Sequence, residues 1–547
     1  MRKTCVFLKV AVILAFALAV TFVPMGPSMA KSKEPVVLKN WVINWPASLE
    51  IWRVLGEDLK KLGIRIELKS GTLDEWVGDI VGAHKPYHTV IISWGATTDR
   101  LEPSFFLTEF FHSSRAKPGG RNYGHYINEE YDKIVDAQVM EMDLEKRQKL
   151  IRKAQEILHR DNVFFPVFHK DYIQAYNIER IEGVVPTMGT CIGFPYTPWT
   201  FIEAKPKKEI KEPRIAQIRD CMQTWNPFAT TNAQNEGWHR LIYDRFVIRD
   251  RDTKLIPWAA ESWDIVDSTT VDIVLRDGMK FFDGKPVTVE DVKFTFDYIK
   301  KWKFPGLART WRNVESVDLM GGRRVRFKLV RPYGPFVANV LMHTFVAPKH
   351  VWEKIPESVG VANPIDWPNP SPMGSGIFRL AEWKKGEYFH LIANKDHWMA
   401  PNFDGLYYVV TPSVEGMMAA LEKGQAEILG WFIDGKQGKK LDAFPHLKMV
   451  AVPGHGMHEL RPNLTMKPMD DPEFRRAFQH AINRRAMLDI VMGGYGTVCR
   501  NTPISPLIEF WNNPDIPVIE FDLNKAREIL KAAGYTWDEK GRLCYPE

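Results

Sequence analysis

Apolar residues recur at two different periods along this chain, and each change of period marks an element. Between Leu49 and Leu62 the positions Ile51, Leu55, Leu59 and Leu62 return every three or four residues, the spacing that gathers one face of a helix. Leu38 to Trp45 and Ile64 to Leu68 flank that helix and read as strands. Thr89-Val90-Ile91-Ile92-Ser93-Trp94 is a nearly unbroken apolar run, as expected of a strand covered on both faces. Strand, helix, strand in this rhythm predicts an α/β architecture with crossover connections. Asn128 to Leu158 reads as one long helical region, with Tyr131, Ile134, Val135, Leu150, Ile151, Ala154, Ile157 and Leu158 on its buried faces and its charges solvated. Thr270 to Leu275 and Val325 to Leu329 read as short strands around a helix over 288–301. Asn524 to Tyr535 reads as a helix stopped by Gly534.

Two stretches break the pattern. Residues 1–30 join the basic Arg2 and Lys3 to an apolar run from Val10 to Val23, then to Ser28-Met29-Ala30. This is the layout of a cleavable export signal, too short for a membrane span and interrupted by Pro24. No cysteine follows the run as a lipid anchor would require, so the expected product is a soluble protein in a periplasm or its equivalent. Residues 203–213 hold four lysines, three glutamates and two prolines, a composition that builds no core and reads as an exposed connector. At 547 residues the chain is too long for a single core, so two or three domains are expected. Loss of Arg2, Lys3 and Lys9 with the leader leaves the chain nearly neutral, which argues against nucleic acid or an anionic membrane as partner.

No catalytic constellation stands out, and no cofactor is implied. His455-Gly456-Met457-His458-Glu459 has its histidines three apart in a glycine-containing stretch, unlike the helical zinc motif, so no metal site is assigned. Gly493-Gly494-Tyr495-Gly496 reads as a turn. Cys191 with Cys221, and Cys499 with Cys544, are candidate disulfides, with buried thiols as the alternative. The 19 tryptophans are the more informative feature, because a rigid amphipathic ring suits a pocket that closes over a solute. Those in loops at strand ends are the candidates: Trp76, Trp94, Trp225, Trp238 and Trp431. Asn226, Thr230, Thr231, Asn232, Gln234 and Asn235 form a polar run between two of them, and His455 completes the set.

Several blocks also resemble a known family. Ala260-Glu261-Ser262-Trp263 followed by Leu275-Arg276-Asp277-Gly278 and Phe281-Phe282-Asp283-Gly284-Lys285-Pro286-Val287-Thr288 is similar to the opening signature of the family 5 extracellular solute-binding proteins. Glu102-Pro103-Ser104-Phe105-Phe106-Leu107, Asn128-Glu129-Glu130-Tyr131-Asp132-Lys133 and Ala154-Gln155-Glu156-Ile157-Leu158 resemble that family's closing half, yet here they come first. The resemblance implies a two-lobed periplasmic-binding-protein-like α/β fold (type II, cluster C-like) whose chain order is circularly permuted. One lobe would be formed by 36–172 and 456–547, the other by 173–202 and 214–455 across the linker 203–213. It also implies a monomeric, non-enzymatic receptor of an ABC importer, working with a membrane permease and closing around an oligopeptide or peptide-like solute, or alternatively an oligosaccharide. A secreted hydrolase is the competing class. In peptide-binding relatives an aspartate follows the tryptophan that ends the buried strand and pairs with the peptide ammonium, which would make Asp99 a candidate beside Arg100. The Trp94 ring is expected to face the cleft next to the 225–238 run.

Overall fold

The structure, a computed structural model, describes residues 34–207, 210–218, 220–230 and 232–546, leaving aside the side chain of Asp99. The leader-like residues 1–30, Thr231 and two positions of the 203–213 connector lie outside the described residues. Among those described, no helix is long and apolar enough to cross a membrane.

The first of two large sheets holds six strands in the spatial order Arg65–Gly71, Val37–Ile43, Thr89–Ser93, Met457–Pro462, Phe165–Lys170 and Gly496–Val498. The first three are parallel, and Met457–Pro462 runs antiparallel between Thr89–Ser93 and Phe165–Lys170. Successive side chains of a strand point to opposite faces, and both faces here are apolar. Ile91 enters a core made with helices Pro46–Lys61, Pro472–His480, Arg484–Met492 and Leu523–Ala532. Val90 and Ile92 enter another, made with helices Ser104–Phe111, Glu129–Met140 and Leu144–Asp161. The helical region read as continuous over 128–158 is therefore two helices. Asp143 accepts a hydrogen bond from the Lys146 amide and starts the second helix afresh, as an N-cap does.

The second sheet has seven strands, ordered Phe378–Lys384, Tyr388–Ala393, Gly405–Val410, Arg214–Gln217, Ile428–Leu429, Tyr172–Asn177 and Leu447–Val452. A four-stranded antiparallel sheet (Ala260–Asp267, Thr270–Leu275, Arg324–Leu329, Val314–Leu319) stands apart from it and packs on helix Val289–Trp302. The chain passes between the two large sheets twice. It leaves Phe165–Lys170 and enters Tyr172–Asn177 across Asp171, then returns from Leu447–Val452 to Met457–Pro462 through 453–456. The glycines of the second passage are sterically required. A β-carbon on Gly456 would lie 2.3 Å from the Trp94 carbonyl oxygen, and one on Gly454 would lie 2.3 Å from the Tyr172 ring.

The two ends of the described chain meet. The Val36 amide donates to the Leu543 carbonyl at 2.7 Å, and the Tyr545 amide donates to that of Glu34 at 3.1 Å. The connector is less free than its composition predicts, because Lys205–Pro206 pairs antiparallel with Ile181–Glu182. Among the described residues none of the four cysteines forms a disulfide, and all are buried. Cys191 Sγ lies 3.5 Å from the Val450 carbonyl oxygen and Cys221 Sγ 3.1 Å from the Tyr408 hydroxyl. Cys499 lies in the core beneath the helices of 104–161, whereas Cys544 lies in the terminal hairpin Thr536–Trp537/Leu543–Cys544. The candidate pairings are thus replaced by buried thiols, which proximity in sequence could not distinguish.

Candidate functional site: the cleft between the two lobes

A cavity of about 810 Å³ opens between the two bodies. From the six-stranded side come Leu101 and Glu102, Met142, Leu144 and Arg147 at the start of helix Leu144–Asp161, and the segment Leu507 to Trp511. Facing them are Met188 and residues Arg249 to Leu255 of the hairpin Val247–Arg249/Leu255–Pro257. Trp263, Ile265, Gly334, Val337 and Ala338 come from the four-stranded subdomain. On the side away from the two passages, the Gly334 amide donates to the Val139 carbonyl at 2.7 Å and joins subdomain to lobe. A β-carbon on Gly334 would stand 2.1 Å from the Glu141 carbonyl oxygen, so this approach needs a glycine.

Most of the cavity wall is apolar, and its deepest charge is neutralised. Glu102 and Arg147 are each 2% exposed and form a two-pronged ion pair, Arg147 Nη1 donating to Glu102 Oε2 at 3.2 Å and Nη2 to Oε1. The remaining polar atoms are satisfied too. Arg147 Nε donates to the Gln138 carbonyl at 3.0 Å, and Glu102 accepts from the Ser104 amide and hydroxyl. Burial drives the Glu102 carboxyl upward, but the Arg147 charge and these hydrogen bonds outweigh it and hold the group below the usual carboxylate range. The Arg147 guanidinium also lies 5.0 Å from the Trp511 ring centre, within cation–π reach.

Polar contacts tie the two passages to the end of strand Thr89–Ser93. The Tyr172 hydroxyl accepts from the Ala96 amide at 2.7 Å, tying the end of strand Thr89–Ser93 to the first passage. His455 Nε2 lies 3.0 Å from the Thr97 carbonyl oxygen, and His169 Nδ1 3.3 Å from that of Gly456. Burial pushes His169 down to about 4 and His455 and His458 to about 3, so all three rings are neutral near pH 7. Among the described residues, no group of three or more His, Cys, Asp or Glu side chains is placed to hold a metal ion.

A cleft between two α/β lobes joined by two crossings has counterparts among known proteins. The model of the family "Bacterial extracellular solute-binding proteins, family 5 Middle" matches residues 254–544, more than half of the chain. The chain belongs to that family. It is 28% identical over 317 residues to the oligopeptide-binding protein AppA of Bacillus subtilis, a match covering 57% of this chain and 57% of AppA. The dipeptide-binding protein of Escherichia coli is 27% identical over 329 residues, covering 55% of this chain and 58% of the relative. The match therefore spans less than two thirds of either relative. A solved structure of a periplasmic oligopeptide-binding protein from Thermotoga maritima superposes with a TM-score of 0.50 at 21% identity, covering 61% of this chain and 66% of the other. That likeness concerns the fold.

The structure separates the residues singled out in the sequence. Trp225 and Trp238 are core residues of the seven-stranded lobe, 0% and 1% exposed, packed edge-on against Phe389. Trp76 is buried against Tyr123. Asn226 donates to the carbonyls of Pro364 and Trp367 at 2.7 Å each, and Asn232 caps helix Ala233–Ile242. Only the end of the polar run enters this capped helix, which turns Trp238 inward by helical spacing. Trp94 is partly buried within its own lobe: its ring centre lies 4.6 Å from that of Phe110, and Nε1 donates to Glu459 at 3.1 Å. It therefore does not meet the 225–238 run. Arg100 lies over the Trp94 ring, 5.4 Å from its centre; the side chain of Asp99 is outside the description. Trp431 remains partly exposed against Phe194 and Phe432, and His455 is buried in the second passage against Thr97. Of the eight whose side chains are described, none lines the large cavity. Glu102, Arg147, Met188 and Trp511 do, and only Glu102 carried a sequence signal, as the first residue of a family-like block.

Proposed function

We propose that this chain is the solute-capturing receptor of an ABC importer, acting outside the cytoplasm with a membrane permease, and that its solute is an oligopeptide or peptide-like molecule. The observation that carries this reading is the cavity of about 810 Å³ with walls from both bodies. A solute held there contacts both walls only when they are together, and so shifts the population toward closure. Its size suits a compact ligand, and its wall of Leu, Met, Ile and Trp side chains favours apolar side chains over a sugar's ring of hydroxyls. Glu102 is held by Arg147, and the other acidic lining residues, Asp252 and Glu509, come from opposite walls, so the reading is binding without turnover. In this reading 36–172 with 456–547 moves against 173–455 about the two passages.

The test is mass spectrometry of small molecules released from the purified protein, followed by calorimetric titration with the species found. A peptide bound without conversion supports the proposal. An oligosaccharide would move the chain to the second reading, and turnover would make it a hydrolase.

We further infer that the chain order is circularly permuted relative to the family. The meeting of Glu34–Val36 with Leu543–Tyr545 supports this, as does a colinear match that stops at little more than half of either relative. A chain opened between Lys208 and Glu209, with residues 34 and 547 joined by a short Gly/Ser linker, should fold and bind like the parent. Failure to fold would count against the rotated order.

A further inference from the structure

Away from the two passages, the lobes touch where the loop from Arg331 to Phe336 meets the turn between helices Glu129–Met140 and Leu144–Asp161. The Gly334 amide donates to the Val139 carbonyl at 2.7 Å. A β-carbon at 334 would have as its three nearest neighbours the Glu141 carbonyl oxygen at 2.1 Å and Arg147 Cδ and Nε at 3.0 and 3.2 Å, all of them across the cleft. Met142, from the same turn, packs onto the core of the four-stranded subdomain. Gly334 does not adopt the left-handed backbone that favours glycine. The glycine is therefore called for by the approach of the other lobe rather than by its own conformation.

Both halves of the contact are stiffened within their own lobe. Pro332 and Pro335 flank the loop tip and fix φ at those positions, and the Phe336 amide donates to the Tyr333 carbonyl at 2.9 Å. Opposite them, the Asp143 amide donates to Glu141 Oε1 at 2.8 Å, and Arg147 is fixed by Glu102 and by the Gln138 carbonyl. The buried ion pair thereby gains a use, since the stem of its arginine is the floor on which Gly334 rests.

We propose that this contact is a latch: seating of Gly334 on the 139–147 turn holds the cleft shut, opposite the hinge formed by the two passages. One backbone hydrogen bond and one partly buried methionine make a small attachment. A net hydrogen bond is worth roughly fivefold in an equilibrium, so the latch biases the lobes toward closure and still lets them part. The bearing of the latch on solute capture rests on the receptor reading above, whereas the latch itself does not.

The experiment is small-angle X-ray scattering of the full chain, unmutated and as the Gly334→Ala, Gly334→Val, Met142→Ser and Gly78→Ala variants, with thermal unfolding of each. A side chain at 334 does not fit the seat. Both Gly334 variants should therefore show a larger radius of gyration than the unmutated protein while melting at nearly the same temperature. Met142→Ser keeps the seat, loses its apolar contact and should expand the molecule less. Gly78→Ala, whose β-carbon would meet nothing within 4 Å, should scatter like the parent. If a Gly334 variant fails to fold, hydrogen exchange on the unmutated protein decides, because the Gly334 amide is bound across the cleft and should exchange slowly. Exchange of that amide at the rate of an open loop, or scattering from Gly334→Val indistinguishable from that of the parent, would overturn the proposal. The two readings fail separately, since scattering reads the latch and the released solute reads the receptor.

Discussion

Two arginines, one in each lobe, are almost equally hidden from solvent and held in opposite ways. Arg147 is 2% exposed and meets Glu102 through two nitrogens, with Ser104 and Gln138 closing the network. Arg245 is 3% exposed and meets an aromatic ring and a small cavity. The comparison teaches that burial alone does not reveal what a charged side chain is for. A complete network makes Arg147 part of the wall, whereas Arg245 keeps Nε and Nη1 without a hydrogen bond among the described residues.

The strongest way to break this contrast is to remove the partner of the satisfied arginine. Glu102→Ala strands Arg147, and the expected loss is about 3–5 kcal/mol in denaturant unfolding. The double variant Glu102→Leu/Arg147→Met should recover most of it, since replacing a buried pair by apolar groups is often neutral. A small cost for the single variant would mean that water reaches the pair.

A comparable loss belongs to the tryptophan pair that sequence placed in one site. Trp238→Ala empties a packed core position and should cost about 3–5 kcal/mol, whereas Trp431→Ala, partly exposed, should cost clearly less. Equal costs would contradict the separation of the two rings.

Acid sharpens the same contrast at the passages between the two sheets. The folded state binds no proton on His169, His455 and His458 until pH nears 4 or 3, while the unfolded chain protonates its histidines around the ordinary 6.5. The unfolded state therefore holds more protons across that window, and stability, complete above pH 6.5, falls as pH drops toward 4. The denaturation midpoint followed from pH 7.5 to 4 measures this, and a His455→Asn/His458→Asn variant should fall less steeply. Parallel curves would remove the buried histidines as the cause.

The smallest effect is expected at the unsatisfied arginine. Arg245→Met should change stability by less than about 1 kcal/mol, because removing buried nitrogens that lack hydrogen bonds offsets the lost packing. A loss like that of Glu102→Ala would show that Arg245 has a protein partner after all.

Much of the fold was legible in the chain. The period of apolar residues located the helix before Leu62 and the buried strand ending at Ser93, because a strand covered on both faces has to be apolar throughout. The glycine-flanked histidines were correctly read as a non-helical stretch, since the second passage between the sheets runs through 453–456. The candidate site was far less legible. Trp225 and Trp238 share the chemistry of cleft aromatics, and only packing against Phe389 marks them as core. Trp511 carries no local signal of its place beside Arg147, more than 350 positions earlier in the chain.

By itself, then, the sequence determined the family, the α/β alternation and the presence of more than one core, because each rests on local periodicity or on motif blocks that a single segment carries. Only the tertiary structure decided which aromatics are buried, which thiols stay apart, that Glu102 and Arg147 neutralise one another across 45 residues, and that Arg245 keeps two nitrogens without a hydrogen bond among the described residues. Those outcomes depend on which distant segments share a few ångströms of space, and electrostatic and packing energies act through that distance rather than through separation along the chain.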